Sequence, residues 1–304
     1  MFDEIVRDIR SELTQMYALM DQTLTSHVGL ANRVVDYFRD RKGKGVRPIM
    51  TLLAAKLLSG AATAATMDGA VALELVHNAS LMHDDVVDRS DLRRGAQTIN
   101  RVWDNRVAVL MGDFFLSKSL MRIHASGRPE MLNALAEMVT RLSEGELAQL
   151  SGANARSTDE AAYMRVIADN EGQQALAAIG EEMGLIFQMR DDLFDYLPSA
   201  EMGKPSGHDI REGKVTLPLI YAFRTAGAEE CEAMHLLLEN PESLTDDEVA
   251  RLVAFAERTG GIDYTRRRME EIAASVRHRL AAFADAEPRR ALLLLVDYFM
   301  QRQF

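Results

Sequence analysis

Apolar residues recur along the chain at spacings of three and four: Ile5, Ile9, Leu13, Met16 and Met20 form one stripe, and Leu132, Leu135, Met138 and Leu142 another. That spacing puts side chains on one face of an α-helix. Runs in which β-branched and polar residues alternate are scarce, and the prolines and most glycines fall between the periodic segments. Helix starts are marked as well. Ser157 with Glu160 and Thr245 with Glu248 have capping-box spacing, and Pro48 and Pro129 suit first-turn positions. The pattern predicts roughly a dozen helices and no sheet. No stretch rich in Pro, Gly or Ser is long enough for a linker and no helical unit repeats. One all-α domain over residues 1–304, larger than a four-helix bundle, is therefore expected.

Composition agrees and narrows the function. With 304 residues, 47% hydrophobic and 27% charged, the chain can bury one large core. A formal net charge of −11 excludes bulk attraction to nucleic acid or an anionic membrane, so an anionic ligand needs a local basic cluster or metal ions. Cys231 stands alone, which excludes an internal disulfide and a multi-cysteine metal site. The start MFDEIVRDIR has no basic flank or apolar core of a signal peptide, and no apolar run is long enough to span a bilayer; a cytoplasmic location is expected.

The chemistry is concentrated in a pattern that occurs twice, D-D-x-x-D, as Asp84, Asp85 and Asp88 and as Asp191, Asp192 and Asp195. Random placement of the chain's 23 aspartates gives roughly 0.13 such patterns, so two are not accidental. On a helix the outer aspartates lie one turn apart on one face, and like charges at that spacing destabilise the helix unless a cation sits between them. A single acidic cluster would most simply be a solvated face. Here each follows a strongly apolar run, VALELVHNASLM or AAIGEEMGLIFQM, which places it at the mouth of a buried region. Carboxylates without His or Cys suit Mg²⁺, which keeps waters and is shared with substrate phosphates. The pair of clusters predicts a polyphosphate clamped by Mg²⁺.

Cations sit beside these motifs. GKGVRP sets Lys44 and Arg47 at a helix start, where backbone N–H groups also favour an anion; Arg93 and Arg94 follow the first cluster, and Lys204 and Lys214 follow the second. GKGVRP lacks the spacing of a P-loop.

Taken together, GKGVRP, ELVHNASLMHDDVVDRSDLRRG, LMGDFFLSKSL, EGELAQL, FQMRDDLFDY and GKPSGHDIREGKVTLPLI resemble, in order and approximate spacing over nearly the whole chain, the trans-polyprenyl diphosphate synthases. The resemblance implies an isoprenoid-synthase-like orthogonal helix bundle around a central active-site cavity. It also implies a homodimer and condensation of isopentenyl diphosphate with an allylic prenyl diphosphate. Residue by residue, it implies that Asp84, Asp85, Asp88, Asp191, Asp192 and Asp195 hold Mg²⁺ on the allylic diphosphate, which Arg93 and Lys204 touch. Lys44, Arg47, His77 and Arg94 would bind isopentenyl diphosphate, Gln188 would line the reaction centre, and Lys214 would lie near the second cluster. His77 by itself reads more readily as a core histidine, and only the motif match makes it a ligand-binding residue.

Product length is expected from the residues below the first cluster. Ala79 and Ser80 are small where short-chain members carry an aromatic floor, and Val76, deeper, is aliphatic; a long-chain product follows, with a farnesyl or geranylgeranyl product as the alternative. One departure stands out. After YMRVIA the family continues with a lysine-threonine pair and a further helical segment, roughly 20 residues that have no counterpart near residues 168–172. Either the chain lacks them, which would also suit a non-catalytic partner subunit, or they are disordered and left out of the numbering, the reading favoured by the intact motifs. Readings from other classes are weaker. E-x-x-H occurs at Glu74–His77 and Glu232–His235, the spacing of di-iron bundles, and a terpene cyclase would leave Lys44, Arg47 and Arg94 without a task.

Overall fold

The computed structural model describes residues 1–41, 43–93, 95–150, 175–197 and 207–302, with only the backbone at residues 148–150, 175 and 242. They fall into two compact units, Phe2–Arg141 with Ala286–Leu292, and Leu142–Asp285 with Leu293–Phe304.

In the first unit the helices are α1 (Phe2–Ile5), α2 (Arg10–Thr23), α3 (Gly29–Arg39), α4 (Val46–Ser59), α5 (Ala64–Val87), α6 (Ile99–Val102), α7 (Asn105–Ala125) and α8 (Pro129–Leu150), whose last residues pass into the second unit. α5 is the axis, and α2, α4, α6 and α7 pack on it. Its buried residues include Ala70, Val71, Ala72, Leu75, Val76 and Ala79, positions that run around the helix and do not form one stripe. Such a helix has to be enclosed. One side joins Val71, Leu75 and Ala79 to a cluster with Met16, Met20 and Phe115; the other joins Ala72 and Val76 to Ile123 and Leu135. The polar groups this buries are paired: Asp68 accepts from Arg122 Nε at 2.6 Å, and Asn78 Nδ2 donates to the Glu74 carbonyl at 2.6 Å. Gly112 lets α7 approach α5, since a Cβ there would lie 2.3 Å from His83 Nε2.

Local signals explain the starts. Thr63 caps α5 through a capping box with Thr66, and Asp104 caps α7 by accepting from Val107 N at 2.8 Å. The expectation of no sheet needs a correction: β1 (Leu92–Arg93) and β2 (Ala96–Gln97) form an antiparallel hairpin. Two-residue strands are too short to show alternation, so periodicity could not reveal them.

The second unit contains α9 (Ala175–Phe194), α10 (His208–Arg211), α11 (Leu217–Thr225), α12 (Ala228–Leu237), α13 (Asp246–Arg258), α14 (Gly261–Ala281) and most of α15 (Glu287–Gln301). α9 packs on α14 and α11, and α13 on α11 and α14. Ile179, Met183, Ile186, Met189 and Leu193, at helical spacing, are the buried stripe of α9. Thr245 and Glu248 form the expected capping box of α13, whereas Ser157 and Glu160 lie outside the described residues.

Candidate active site

α5 and α9 end in the same unusual way. Asp84 and Asp85 stand in the last turn of α5 with Asp88 as its C-cap, Asp191 and Asp192 stand in the last turn of α9 with Asp195 just beyond, and neither last turn contains a basic residue. The C-terminal end of a helix carries partial negative charge and ordinarily attracts cations. Both ends therefore favour a cation from outside the helix.

Within each cluster the three carboxylates differ. Asp85 is 6% exposed and accepts a hydrogen bond of 2.8 Å from Arg93 Nε. Burial raises its pKa, and the guanidinium only partly offsets this. Asp192 is 3% exposed and accepts from Gln188 Nε2 at 2.8 Å. The middle aspartates thus hold two other residues that the sequence marked. Asp84 is half-buried and Asp88 exposed, with His77 and Ser80 below them on the same stripe of α5. Asp195 accepts from the backbone N–H groups of His208, at 2.8 Å, and Ile210, at 3.3 Å, tying α9 to α10. Asp209, half-buried near Asp195 and Asp192, has its carboxyl pushed up to about 7 by desolvation and by those charges.

Arg93 reaches back over eight positions because the hairpin folds onto the end of α5. Thr98 Oγ1 and Asn100 Nδ2 donate to the Ser90 carbonyl at 2.7 and 3.1 Å, and Asn100 Nδ2 also donates to the Asp85 carbonyl at 3.2 Å. Asp91, which the motif left without a role, serves this turn: its carbonyl accepts from Thr98 N at 3.0 Å. Arg89 closes α5 with φ 51°. Beside Asp85 and Arg93 opens a small cleft lined also by Phe38, Arg41, Leu81 and Met82.

The basic loop is also built. Gly45, at φ 62°, is the N-cap of α4, and a Cβ on it would meet Tyr17 Oη at 2.1 Å, so the loop rests directly on that phenol. Burial and the Glu74 carboxylate push Tyr17 up to about 12. Lys44 is exposed and Arg47 half-buried in the first turn. Lys214 is paired with Glu212 at 2.8 Å. Although burial opposes it, hydrogen bonds from His208 and Lys214 bring Glu212 down to about 2. Arg94 and Lys204, and the junction near 168–172, lie outside the described residues.

The Polyprenyl synthetase family model matches residues 28–172 and 164–255. The chain belongs to that family. It is 33% identical to the octaprenyl diphosphate synthase of Escherichia coli (strain K12), over 94% of each chain. Its fold matches a decaprenyl diphosphate synthase from Rhodobacter capsulatus with TM-score 0.91 and 30% identity over 100% of both chains. It also matches a polyprenyl synthase from Caulobacter crescentus CB15, complexed with calcium and isoprenyl diphosphate, with TM-score 0.90 and 29% identity over 100% of this chain and 98% of that one. The two family-model matches overlap at residues 164–172, and the alignment to the Escherichia coli relative is 308 positions long while using 94% of 304 residues. Some of its positions are therefore filled by the relative alone.

In this polyprenyl synthetase the carboxylates fit a hard divalent cation by donor type and by their place at helix ends. Among the described residues no three His, Cys, Asp or Glu side chains converge on one point, so water or phosphate oxygens would have to complete the coordination. The di-iron reading gains nothing: His235 stacks flat on Phe223 at 4.0 Å and 10°. Sequence reasoning missed three residues. Asp209 lay inside a quoted motif without being singled out, while Tyr17 and Arg302, which forms an ion pair with Asp191, belong to no motif.

Proposed function

We propose that the protein is a Mg²⁺-dependent prenyltransferase that extends an allylic prenyl diphosphate with isopentenyl diphosphate to a long-chain all-trans polyprenyl diphosphate. The observation that carries this reading is the pair of helix ends on α5 and α9, each crowded with carboxylates and without a basic residue in its last turn. Asp84, Asp88 and Asp191 would hold Mg²⁺, whose chemistry is to neutralise charge developing on the departing diphosphate. Arg93, held by Asp85, faces the same charge, with Lys204 as its family counterpart beyond the second cluster. The allylic C–O bond breaks with its electron pair leaving on the diphosphate. The alkene of isopentenyl diphosphate, oriented by Lys44, Arg47, His77 and Arg94, attacks the cation, and the released diphosphate takes the proton lost from the product. Apolar surroundings protect the cation from water.

The names of the relatives support a product beyond farnesyl, as do the small residues Ala79 and Ser80. We take the shortening near residues 168–172 to be real, since the family model is met in two overlapping pieces there. Arg93 and Lys204 are then the basic side chains left to the allylic diphosphate. Among the described residues no helix is long and apolar enough to cross a membrane. Exposed Leu110 and Met121 on α7, at 66% and 64%, suit burial against a second copy in a cytoplasmic homodimer.

Incubation with Mg²⁺, farnesyl diphosphate and labelled isopentenyl diphosphate tests the reading by product-length analysis. Products longer than geranylgeranyl diphosphate are expected. Farnesyl diphosphate as the largest product from a shorter primer would overturn the length assignment, and no incorporation from any allylic primer would favour a partner subunit.

A further inference from the structure

Arg302 follows α15 and lies against α9 within one unit. Its guanidinium is paired with Asp191 and stands 4.1 Å from the ring centre of Phe187 and 5.6 Å from that of Phe194. Its carbonyl accepts a hydrogen bond of 2.9 Å from Arg190 Nε. Positions 187, 190, 191 and 194 form one stripe of α9, so four side chains of that stripe engage a single residue. Phe187 is braced in turn by Phe299 of α15, edge-on at 5.4 Å. The Arg302 side chain is 15% exposed. An exposed ion pair between long side chains contributes little, but here the arginine is immobilised by two rings and a backbone bond.

The partner of this arginine matters. Of the second cluster, Asp192 is buried on Gln188, and both oxygens of Asp195 accept backbone N–H groups of α10. Asp191, with its side chain 37% exposed, is the carboxylate of the three most open to a new ligand, and it already carries a cation. A divalent ion bound to the same carboxylate would lie within a few ångströms of the guanidinium, where like charges repel strongly. Resting on the reading of Asp191 as a metal ligand, we propose that Arg302 is a resident counter-ion that a divalent cation has to displace from Asp191. Loading the second aspartate cluster thereby releases the residue after α15 from α9. Arg302 is a positioning residue, acting through Asp191.

The test is calorimetric titration of Mn²⁺ into the full chain at low salt, without substrate. An Asp84→Asn, Asp88→Asn background silences the first cluster. Arg302→Met keeps an apolar stem over the two rings and removes the charge; it should bind Mn²⁺ about tenfold more tightly, or better. Arg302→Lys should stay within about threefold of the parent, since it keeps the charge. Unchanged or weaker binding by Arg302→Met would overturn the proposal, the weaker case meaning that Arg302 orients Asp191 for the ion. A separate readout needs no substitution at Arg302: Mn²⁺ should raise amide exchange at residues 299–302 of the parent, and unaltered exchange would also count against displacement. If Asp191→Asn bound Mn²⁺ as well as its parent, the metal-ligand reading itself would fall, which is a different failure.

Discussion

Asp85 and Asp192 are the middle members of their clusters, and each is withdrawn from solvent to hold a neighbour: Arg93 in one case, Gln188 in the other. The spacing D-D-x-x-D gives all three aspartates equal weight, so the sequence reading assigned every one to metal. Burial separates them, and burial depends on how the hairpin and α5 pack, which no spacing rule contains. Arg302 was illegible for a similar reason, since a lone arginine in LVDYFMQRQF has meaning only through the helix it lands on. The division of labour is testable. Asp88→Asn removes an exposed donor and should weaken Mn²⁺ binding and lower kcat. Asp85→Asn instead deprives Arg93 of a charge-assisted bond, a loss of about 1.5–3 kcal/mol. That should appear as an allylic-substrate KM raised by roughly tenfold or more, with Mn²⁺ affinity close to that of the wild type. Equal effects of the two substitutions on metal affinity would refute the distinction.

The elements themselves were largely legible, because α2 and α9 advertise their buried faces at helical spacing and α13 advertises its cap. Crossings were not. They depend on where one backbone can approach another, which is visible in the structure at two glycines. A Cβ on Gly261, the first residue of α14, would stand 2.1 Å from the Pro218 carbonyl oxygen of α11 and 3.1 Å from the Ala256 carbonyl oxygen. These obstacles are backbone and cannot rotate away. Gly261→Ala should therefore destabilise the fold by about 1–3 kcal/mol, seen as a lower urea midpoint. Gly112→Ala meets only the tip of the His83 ring, and the gain in helix propensity, about 0.5–1 kcal/mol, offsets part of the strain. The prediction is an ordering: Gly261→Ala is the more damaging, and a smaller effect there than at Gly112 would contradict the crossing as described.

Across the whole molecule, the proposed function gives one helix the task of linking charge to product length. α5 carries Asp84 and Asp88 at its end, Ser80 one turn below on the same stripe, Ala79 in the cluster of Met82, Met111 and Phe115, and Val76 in the cluster of Ile123 and Leu135. On the proposed reading, a chain growing downward from the diphosphate would pass the first small residues before reaching the aliphatic packing around Val76. Its length should therefore respond to bulk placed just below the aspartates, while the first condensation, which happens above that level, should not. Ala79→Phe is expected to shorten the product, but Ala79 is 3% exposed inside a packed cluster, and overpacking costs about 1–3 kcal/mol. Ser80→Phe adds the same ring at a half-buried position on the stripe of Asp84 and Asp88 and is the cleaner probe. With geranyl diphosphate as primer, chromatography of labelled products should show both variants stopping short of the parent's length, with the rate of the first isopentenyl addition within about threefold of the parent. If Ser80→Phe folded normally and still produced the parent's full-length product, the growing chain would have to descend along another face of α5, and the assignment of Ala79 and Ser80 to the tunnel would be wrong.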